Sequence, residues 1–264
     1  TDVPFQHMDS GNIVSQHIAS WFSGTSEGTL HIIERTTWWI HIVGILIFLN
    51  YLYFSKHLHI MLAFPNVYFG RVNPQGQFKN NKAVTKEVMM MMDPNVDPFA
   101  APPEGEAEET PAKFGASDVM DLTQIQLLNA YTCTECGRCT SECPANITGK
   151  KLSPRKIMMD TRDRLEEVGK NIDANKGVFV PDGKQLLGDY ITNEELWACT
   201  SCNACVEACP VSIDPLSIIM EMRQYLVMEQ SAAPNELNGT MTNIENNGAP
   251  WPFNQQDRLN WAKE

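Results

Sequence analysis

Eight cysteines are the residues of this sequence best suited to chemistry, and they lie in two short runs. In each run, three cysteines follow at intervals of three residues, and a fourth comes four residues later, directly before a proline. This is the spacing of bacterial ferredoxins, in which three thiolates of a run hold one [4Fe-4S] cluster and the fourth holds the neighbouring cluster. The runs are Cys133, Cys136, Cys139 and Cys143, and Cys199, Cys202, Cys205 and Cys209.

Crossed ligation predicts two cysteine sets. The first set is Cys133, Cys136, Cys139 and Cys209, and the second set is Cys199, Cys202, Cys205 and Cys143. The runs lie 66 residues apart, with helical sequence between them, so that two clusters would also join two helical halves. An internal repeat supports this division, because PRKIMMDTR (154–162) aligns with PLSIIMEMR (215–223).

Structural zinc is the main alternative, since zinc sites built from four cysteines also use pairs two residues apart. Such a site needs only two pairs, which leaves the third cysteine, the wider gap and the proline without a purpose in both runs. A disulfide framework would spread the cysteines along the chain, whereas clustering indicates metal binding in a reducing compartment.

Two histidines suggest a second metal group. His41 and His59 are 18 residues apart, so one continuous helix would place both imidazoles on the same face about 27 Å apart. That distance is close to the roughly 30 Å thickness of a bilayer core and suits axial ligands for two haems. The alternative is that His59, which follows Lys56, lies in the headgroup region.

The histidines fall in or beside a predicted membrane span. Residues 38–54, WWIHIVGILIFLNYLYF, contain no acidic or basic residue, and apolar character resumes after Lys56 and continues to Phe64. This length crosses a bilayer, although a buried core helix has the same composition. Arg35 is the only basic residue before the span and five follow closely, so the positive-inside rule places the downstream side in the cytoplasm.

We therefore expect a mainly α protein, with a transmembrane helix followed by a helical ferredoxin domain. Ser153 and Asp214 are predicted to cap helices that begin at the next residue, and Gly169 to lie just past the end of the first. The C-terminal tail contains the aromatic residues Trp251, Phe253 and Trp261. We expect it either to dock on a partner or to pack on its own domain. The predicted segments are an amphipathic periplasm-side stretch (1–35), the transmembrane helix (36–64), a cytoplasmic connector (65–92), an acidic Pro-rich linker (93–116), the two-cluster domain (117–232) and a docking tail (233–264).

Composition excludes several functions. A net charge of -12 over 264 residues argues against a nucleic-acid surface. The sequence has no convincing nucleophile and base set, phosphate loop or dinucleotide fingerprint, which favours an electron-transfer subunit of an oxidoreductase over a stand-alone catalyst.

Two basic residues, Arg138 and Lys151, lie near the first run. They either raise the reduction potential of a cluster or receive an acidic donor, or they are solvated surface charges. A first residue of Thr1 indicates a processed or incomplete N-terminus.

Two stretches resemble known families. Residues 133–162 with 199–223 resemble the alpha-helical ferredoxin domain of the heterodisulfide reductase C-subunit type, which has relatives in succinate dehydrogenase iron-sulfur subunits and anaerobic glycerol-3-phosphate dehydrogenase. Residues 38–66, ending SKHLHIMLAFPN, resemble the haem b (gamma) subunit of respiratory nitrate reductase. The combination is similar to membrane-bound iron-sulfur oxidoreductases, including the electron-transfer-flavoprotein:menaquinone type.

The resemblance implies that all eight cysteines are cluster ligands and that His41 and His59 bind haem b. It implies electron relay in a bacterial cytoplasmic membrane between menaquinone and a cytoplasmic partner, either a flavoprotein or a CCG-domain protein of the heterodisulfide reductase B or D type. Such haem proteins have several membrane helices, and the relatives often carry CCG modules, whereas this sequence has one convincing span and no such module. The alternative is a tethered ferredoxin-like docking module that supplies electrons to a separate enzyme without haem or quinone.

Overall fold

The computed structural model of this protein describes residues 14–74, 76–78, 80, 82–93 and 113–262. These residues are mainly helical and form no β-strand, as the sequence predicts. The chain divides into two compact units, residues 1–58 and residues 59–264. Most of the predicted linker and the beginning of the predicted periplasm-side segment lie outside the described residues.

The first unit is dominated by one long helix. It contains α1 (Ser15–Ala19), a 3-10 turn (Ser20–Phe22) and α2 (Glu27–Leu52). The hydroxyl of Ser26 caps α2 by accepting a hydrogen bond from the Thr29 amide at 3.3 Å. None of the 26 residues of α2 is buried within the described structure, so packing inside this chain does not account for its apolar surface. By length and composition, α2 is a candidate membrane span.

The prediction of one helix over 36–64 is wrong. α2 ends at Leu52, residues 53–57 form turns, and a separate helix, α3 (Leu58–Tyr68), follows. Ser55 explains the interruption, because its hydroxyl donates to the Leu52 carbonyl at 3.0 Å and accepts from the His57 amide at 3.2 Å. Such side-chain bonds compete with the helical backbone ladder. The premise that His41 and His59 share one continuous helix therefore fails.

The second unit begins with two helices that precede the cysteines, α3 and α4 (Lys82–Met92). Within α3, Asn66 is only 2% exposed, and its side-chain amide donates to the Val211 carbonyl with an Nδ2 to O distance of 2.8 Å. α3 is therefore bonded to the chain segment that follows Cys209.

The cysteine-bearing part is built from short and long helices in a repeated order. Each half has a helix before its run, a short helix within it and a proline-started helix after it. After the second half come α12 (Asn235–Asn247) and a 3-10 helix (Gln255–Ala262). The helices of this part are α5 (Gln124–Thr132), α6 (Arg138–Ser141), α7 (Pro144–Ile147), α8 (Pro154–Ala174), α9 (Asn193–Ala198), α10 (Ala204–Glu207) and α11 (Pro215–Met228).

Both predicted helix caps are confirmed. The hydroxyl of Ser153 accepts from the third amide of α8, and the carboxylate of Asp214 accepts from the third amide of α11. The predicted end of α8 at Gly169 is wrong, since the helix continues to Ala174. Val168 is buried, and Ile172 packs against the core on the next turn. This burial offsets the low helix propensity of glycine, which is about 1 kcal/mol relative to alanine.

In the core of this part, α8 packs against both α5 and α11, and α8 and α11 contribute many of the buried apolar side chains. Arg164 of α8 is also completely buried, and its guanidinium forms ion pairs with Asp118 at 2.8 Å and Asp182 at 2.5 Å. Arg164 holds the pKa of Asp182 down at about 2. These ion pairs tie the segments on either side of α8 to its buried face.

Candidate functional site

The two cysteine runs start from matching helix ends. Cys133 is the C-terminal cap of α5, and Cys199 is that of α9. Both helices begin with a threonine capping box, although α5 has 9 residues and α9 only 6. The first cysteine of each run thus stands at the point where a helix gives way to a loop.

The loops between the cysteines share one backbone conformation. Glu135 and Gly137 have φ angles of 60° and 84°, and the equivalent Ser201 and Asn203 have angles of 58° and 60°. A left-handed conformation disfavours residues other than glycine by about 1–2 kcal/mol. Its recurrence at the same positions, three of the four without glycine, indicates that the two runs adopt the same loop conformation.

The first set of cysteines surrounds a cavity of about 260 Å³. Its walls include all four members of the set, together with Cys205 of the second run. Burial raises the pKa of Cys133, and the nearby Cys209 and Cys136 raise it further. Burial likewise raises the pKa of Cys139, again with contributions from the other members of the set. Cys209, from the second run, therefore lies among the cysteines of the first.

The second set shows the reciprocal arrangement. Burial raises the pKa of Cys205 to about 12, with further contributions from Cys199, Asp214, Cys139 of the first set and Cys143. Burial also raises the pKa of Cys199, and Cys143 and Cys202 add to it. Cys143 is only 7% exposed. Members of each predicted set therefore lie near one another, Cys205 also borders the cavity of the first set, and ligation by the two crossed sets stays a prediction.

The donor sets fit iron-sulfur clusters in chemical type and in space. All eight cysteines are free thiols, and thiolate is the donor that such clusters use. The first set lines a cavity instead of converging on a point, and no group of three or more His, Cys, Asp or Glu among the described residues is placed for a single metal ion. Because burial raises the pKa of Cys133, Cys139, Cys199 and Cys205, cluster loading requires protons to leave these four thiols.

Arginines surround the cysteine sets, and the sequence interpretation recognised only Arg138. Arg138 and Arg155 border the cavity of the first set. Arg162 forms a 2.8 Å ion pair with Glu135 inside the first loop. Lys151 forms an exposed ion pair with Glu194 at 2.5 Å, so it behaves as a surface charge.

Arg223 is the counterpart of Arg162 in the repeat, but it has different partners. Its guanidinium donates to the main-chain carbonyls of Leu196 and Cys199, each at 2.6 Å from Nη2, and lies 4.9 Å from the centre of the Trp197 ring. The sequence repeat could have identified this pair, because arginine is the ninth residue of both PRKIMMDTR and PLSIIMEMR.

The two predicted haem ligands have different surroundings. His41 is exposed on α2 in the first unit. His59 is half-buried on α3 in the second unit, where it borders the cavity of the first cysteine set. Binding of haem by these histidines stays a prediction.

Comparison with known proteins places this site among iron-sulfur proteins. A family model described as a 4Fe-4S dicluster domain matches residues 132–213. The chain is 33% identical to the probable iron-sulfur-binding oxidoreductase FadF of Bacillus subtilis, over 95% of this chain and 36% of FadF. It is 30% identical to EtfAB:quinone oxidoreductase of Syntrophomonas wolfei, over 93% of this chain and 34% of that protein.

A third relative represents the heterodisulfide reductases. The ferredoxin/F(420)H(2)-dependent CoB-CoM heterodisulfide reductase C-subunit of Methanosarcina acetivorans is 30% identical, over 45% of this chain and 60% of that protein. The chain spans about a third of the length of the two relatives that match most of it. It therefore carries a 4Fe-4S dicluster domain and is similar to iron-sulfur oxidoreductases, which favours clusters over the zinc alternative.

Proposed function

We propose that this chain is a membrane-anchored electron-transfer subunit that relays electrons between a cytoplasmic oxidoreductase partner and haem b and menaquinone in a respiratory chain. The observation that carries the proposal is the cavity that cysteines from both runs, Cys133, Cys136, Cys139 and Cys209, line inside a dicluster domain. [4Fe-4S] clusters supply one-electron redox chemistry when bound. The proposed ligands are Cys133, Cys136, Cys139 and Cys209 for one cluster, and Cys199, Cys202, Cys205 and Cys143 for the other.

The protein's own residues provide position and insulation. The helix caps, the ends of α5 and α9 and the left-handed loop residues fix where the thiols stand. Burial of Cys143 and Cys205 keeps water from part of the second set, and solvent exposure is one of the properties that set a cluster's potential. Exposed Cys136 and Cys202 leave each set an edge at the surface where electrons can enter or leave.

The membrane part of the proposal rests on α2 and α3. In this proposal α2 crosses the membrane of a bacterial cell with the cysteine-bearing part on the cytoplasmic side, and residues 36–64 form the haem-linked segment. His41 and His59 are proposed as axial ligands of haem b. Support for His59 comes from its position on the cavity of the first set, which would bring a haem ligand next to one cluster.

The partner is proposed to be a flavoprotein or a CCG-domain protein that docks on the tail, 233–264. Trp251, Phe253 and Trp261 support this surface, because they are 52%, 65% and 77% exposed. Large exposed aromatic side chains commonly mark protein contacts. The remaining segments, 1–35, 65–92, 93–116 and 117–232, keep the roles predicted for them above.

Purification from native membranes together with its neighbours, followed by optical and electron paramagnetic resonance spectroscopy, tests the proposal. We expect two [4Fe-4S] signals and a b-type haem spectrum. His59→Ala and His41→Ala should each reduce the haem spectrum, whereas His57→Ala, in the turn between α2 and α3, should preserve it. Membranes with intact clusters and no b-type spectrum would refute the haem and quinone part.

The second candidate is the tethered ferredoxin-like docking module, which passes electrons to a separate enzyme without haem or quinone. The break at residues 53–57 favours it, because it removes the common helical face on which the haem argument was built. The same spectra discriminate: clusters without haem in the native complex support this candidate.

A further inference from the structure

The two halves of the cysteine-bearing part carry different charges at equivalent positions. This difference affects the relative reduction potentials of the two proposed clusters. The inference depends on the proposed function, because it concerns the two clusters proposed above. The equivalent pairs, first half before second, are Glu135 and Ser201, Arg138 and Ala204, Ser153 and Asp214, Arg155 and Leu216, and Arg162 and Arg223.

The first set has two arginines that the second set lacks. Arg138 and Arg155 both border the cavity of the first set. Arg155 reaches the loop itself, since its Nη1 is 3.8 Å from the place that a Cβ on Gly137 would occupy. The residues at the equivalent positions of the second half, Ala204 and Leu216, carry no charge.

The residues that cap α8 and α11 also differ in charge. Ser153 is a neutral cap, and its hydroxyl lies 3.0 Å from that of Thr140, the residue after Cys139. The equivalent cap, Asp214, is a carboxylate, and it lines a pocket together with Val206, the residue after Cys205. The second set therefore has a negative charge nearby where the first has a hydroxyl.

The remaining charges do not cancel this difference. Arg162 is neutralised by Glu135 at 2.8 Å, whereas Arg223, which is bonded to main-chain carbonyls, offsets Asp214. Glu142 directly precedes Cys143 of the second set, and Glu207 lies two residues from both Cys205 of the second set and Cys209 of the first, so neither set alone has a nearby glutamate. The first set is left with the charges of Arg138 and Arg155, and the second set with none.

We propose that the cluster held by Cys133, Cys136, Cys139 and Cys209 has the higher reduction potential, because Arg138 and Arg155 stabilise its reduced form, whereas the charges of Arg223 and Asp214 in the other half have opposite signs. Reduction adds a negative charge, which nearby positive charges favour. The step moves one electron from the second cluster to the first and makes or breaks no bond. The electron then rests at the cavity that His59 of α3 borders.

Redox potentiometry followed by electron paramagnetic resonance, on the purified full chain with its clusters, tests this proposal. The double variant Arg138→Gln with Arg155→Gln should lower the higher of the two potentials. Asp214→Asn should raise the lower one, and asparagine still caps α11. Each charge removed should alter the ratio of reduced to oxidised cluster by about two- to sixteenfold at a given applied potential, the range for one charge at about 10 Å between the permittivity of water and that of a protein surface.

Lys170→Gln is the matched control, because Lys170 is exposed on α8, the helix that carries Arg155. It lies about 22 Å further along the helix, beyond the screening length at physiological salt, so both potentials should stay unchanged. If the double variant does not fold, the two single variants carry the same test with smaller shifts.

Two results would overturn the inference while the proposed function stands: two clusters whose lower potential responds to the arginine variants, or two potentials that respond to neither change. A purified chain without iron and sulfide would refute the proposed function itself, and the inference with it. Iron and sulfide content therefore separates the two failures.

Discussion

Asn66 and Val211 are joined by a hydrogen bond across 145 positions of sequence, from the side-chain amide of the first to the main-chain carbonyl of the second, at 2.8 Å. Val211 follows Cys209 and Pro210, so this bond attaches α3 to the segment that brings the fourth cysteine to the first set. The Oδ1 atom of Asn66 is buried and meets no hydrogen-bond partner within the described structure. One side-chain hydrogen bond thus links α3 to the segment that carries Cys209 of the first set.

Asn66→Leu should therefore make the first cluster more labile. The variant leaves the Val211 carbonyl without its partner, and an unpaired buried carbonyl costs about 1–3 kcal/mol. We expect one of the two cluster signals to decay faster than the other during incubation with an iron chelator. Asn243→Leu is the control, since Asn243 also donates to a main-chain carbonyl, that of Pro250, beside α12. Equal decay of both clusters in Asn66→Leu would contradict this role.

Serine substitutions test the crossed cysteine sets directly. Cys143→Ser should disturb the same spectroscopic signal as Cys202→Ser, although the two residues belong to different runs. Cys209→Ser should disturb the signal that Cys136→Ser disturbs. The measurement is electron paramagnetic resonance with iron content for each variant. If Cys143→Ser instead matches Cys136→Ser, ligation follows the runs and is not crossed.

Gly115 is a point of close approach between the start of the cysteine-bearing part and α11. It has a φ of 75°, and a Cβ there would overlap the Glu221 carbonyl oxygen and the Tyr225 nitrogen. Gly115→Ala should therefore lower the thermal unfolding midpoint well beyond the effect of backbone strain. Gly149→Ala is matched, because Gly149 has a φ of 81° and open space around it. Gly149→Ala should show strain alone, about 1–2 kcal/mol, and similar midpoints for both variants would refute the close approach.

The ion pairs of Arg164 predict a specific acid sensitivity. The pKa of Asp182 is about 2 in the folded chain, against 3.8 for the ordinary side chain, because Arg164 favours the carboxylate. A depressed folded pKa adds stability that is fully present above the unfolded value and is lost as the pH falls toward 2. Asp182→Asn should therefore lower stability at neutral pH and flatten its decline between about pH 4 and pH 2. Denaturant unfolding at several pH values measures this, with exposed Asp173→Asn on α8 expected to change little.

Local signals in the sequence predicted much of this fold. The caps at Ser153 and Asp214 are confirmed because a cap depends only on its own side chain and the amides of the next turn. The cysteine sets followed from spacing alone, since the two runs repeat one loop. α2 followed from hydropathy, which needs no knowledge of neighbours.

The features that were predicted wrongly or missed depend on tertiary packing or on hydrogen bonds between side chains and the backbone. Gly169 does not end α8, because burial of Val168 and Ile172 outweighs the propensity of one glycine. Ser55 interrupts an apolar stretch by bonding the backbone, and a hydropathy profile does not register that competition. Asn66 and Arg155 reach the cysteine sets through partners far away in the sequence, so neither was recognised before the structure.

The proposed crossed ligation also has a consequence for when the clusters can be inserted during synthesis of the protein. The second set is complete once the ribosome has added Cys205, and the first only after Cys209, four residues later. A nascent chain that has completed the whole first run still has neither full quartet to offer an iron-sulfur donor. Both clusters would therefore be inserted late, in nearly the same interval, and a chain truncated between the runs could receive neither.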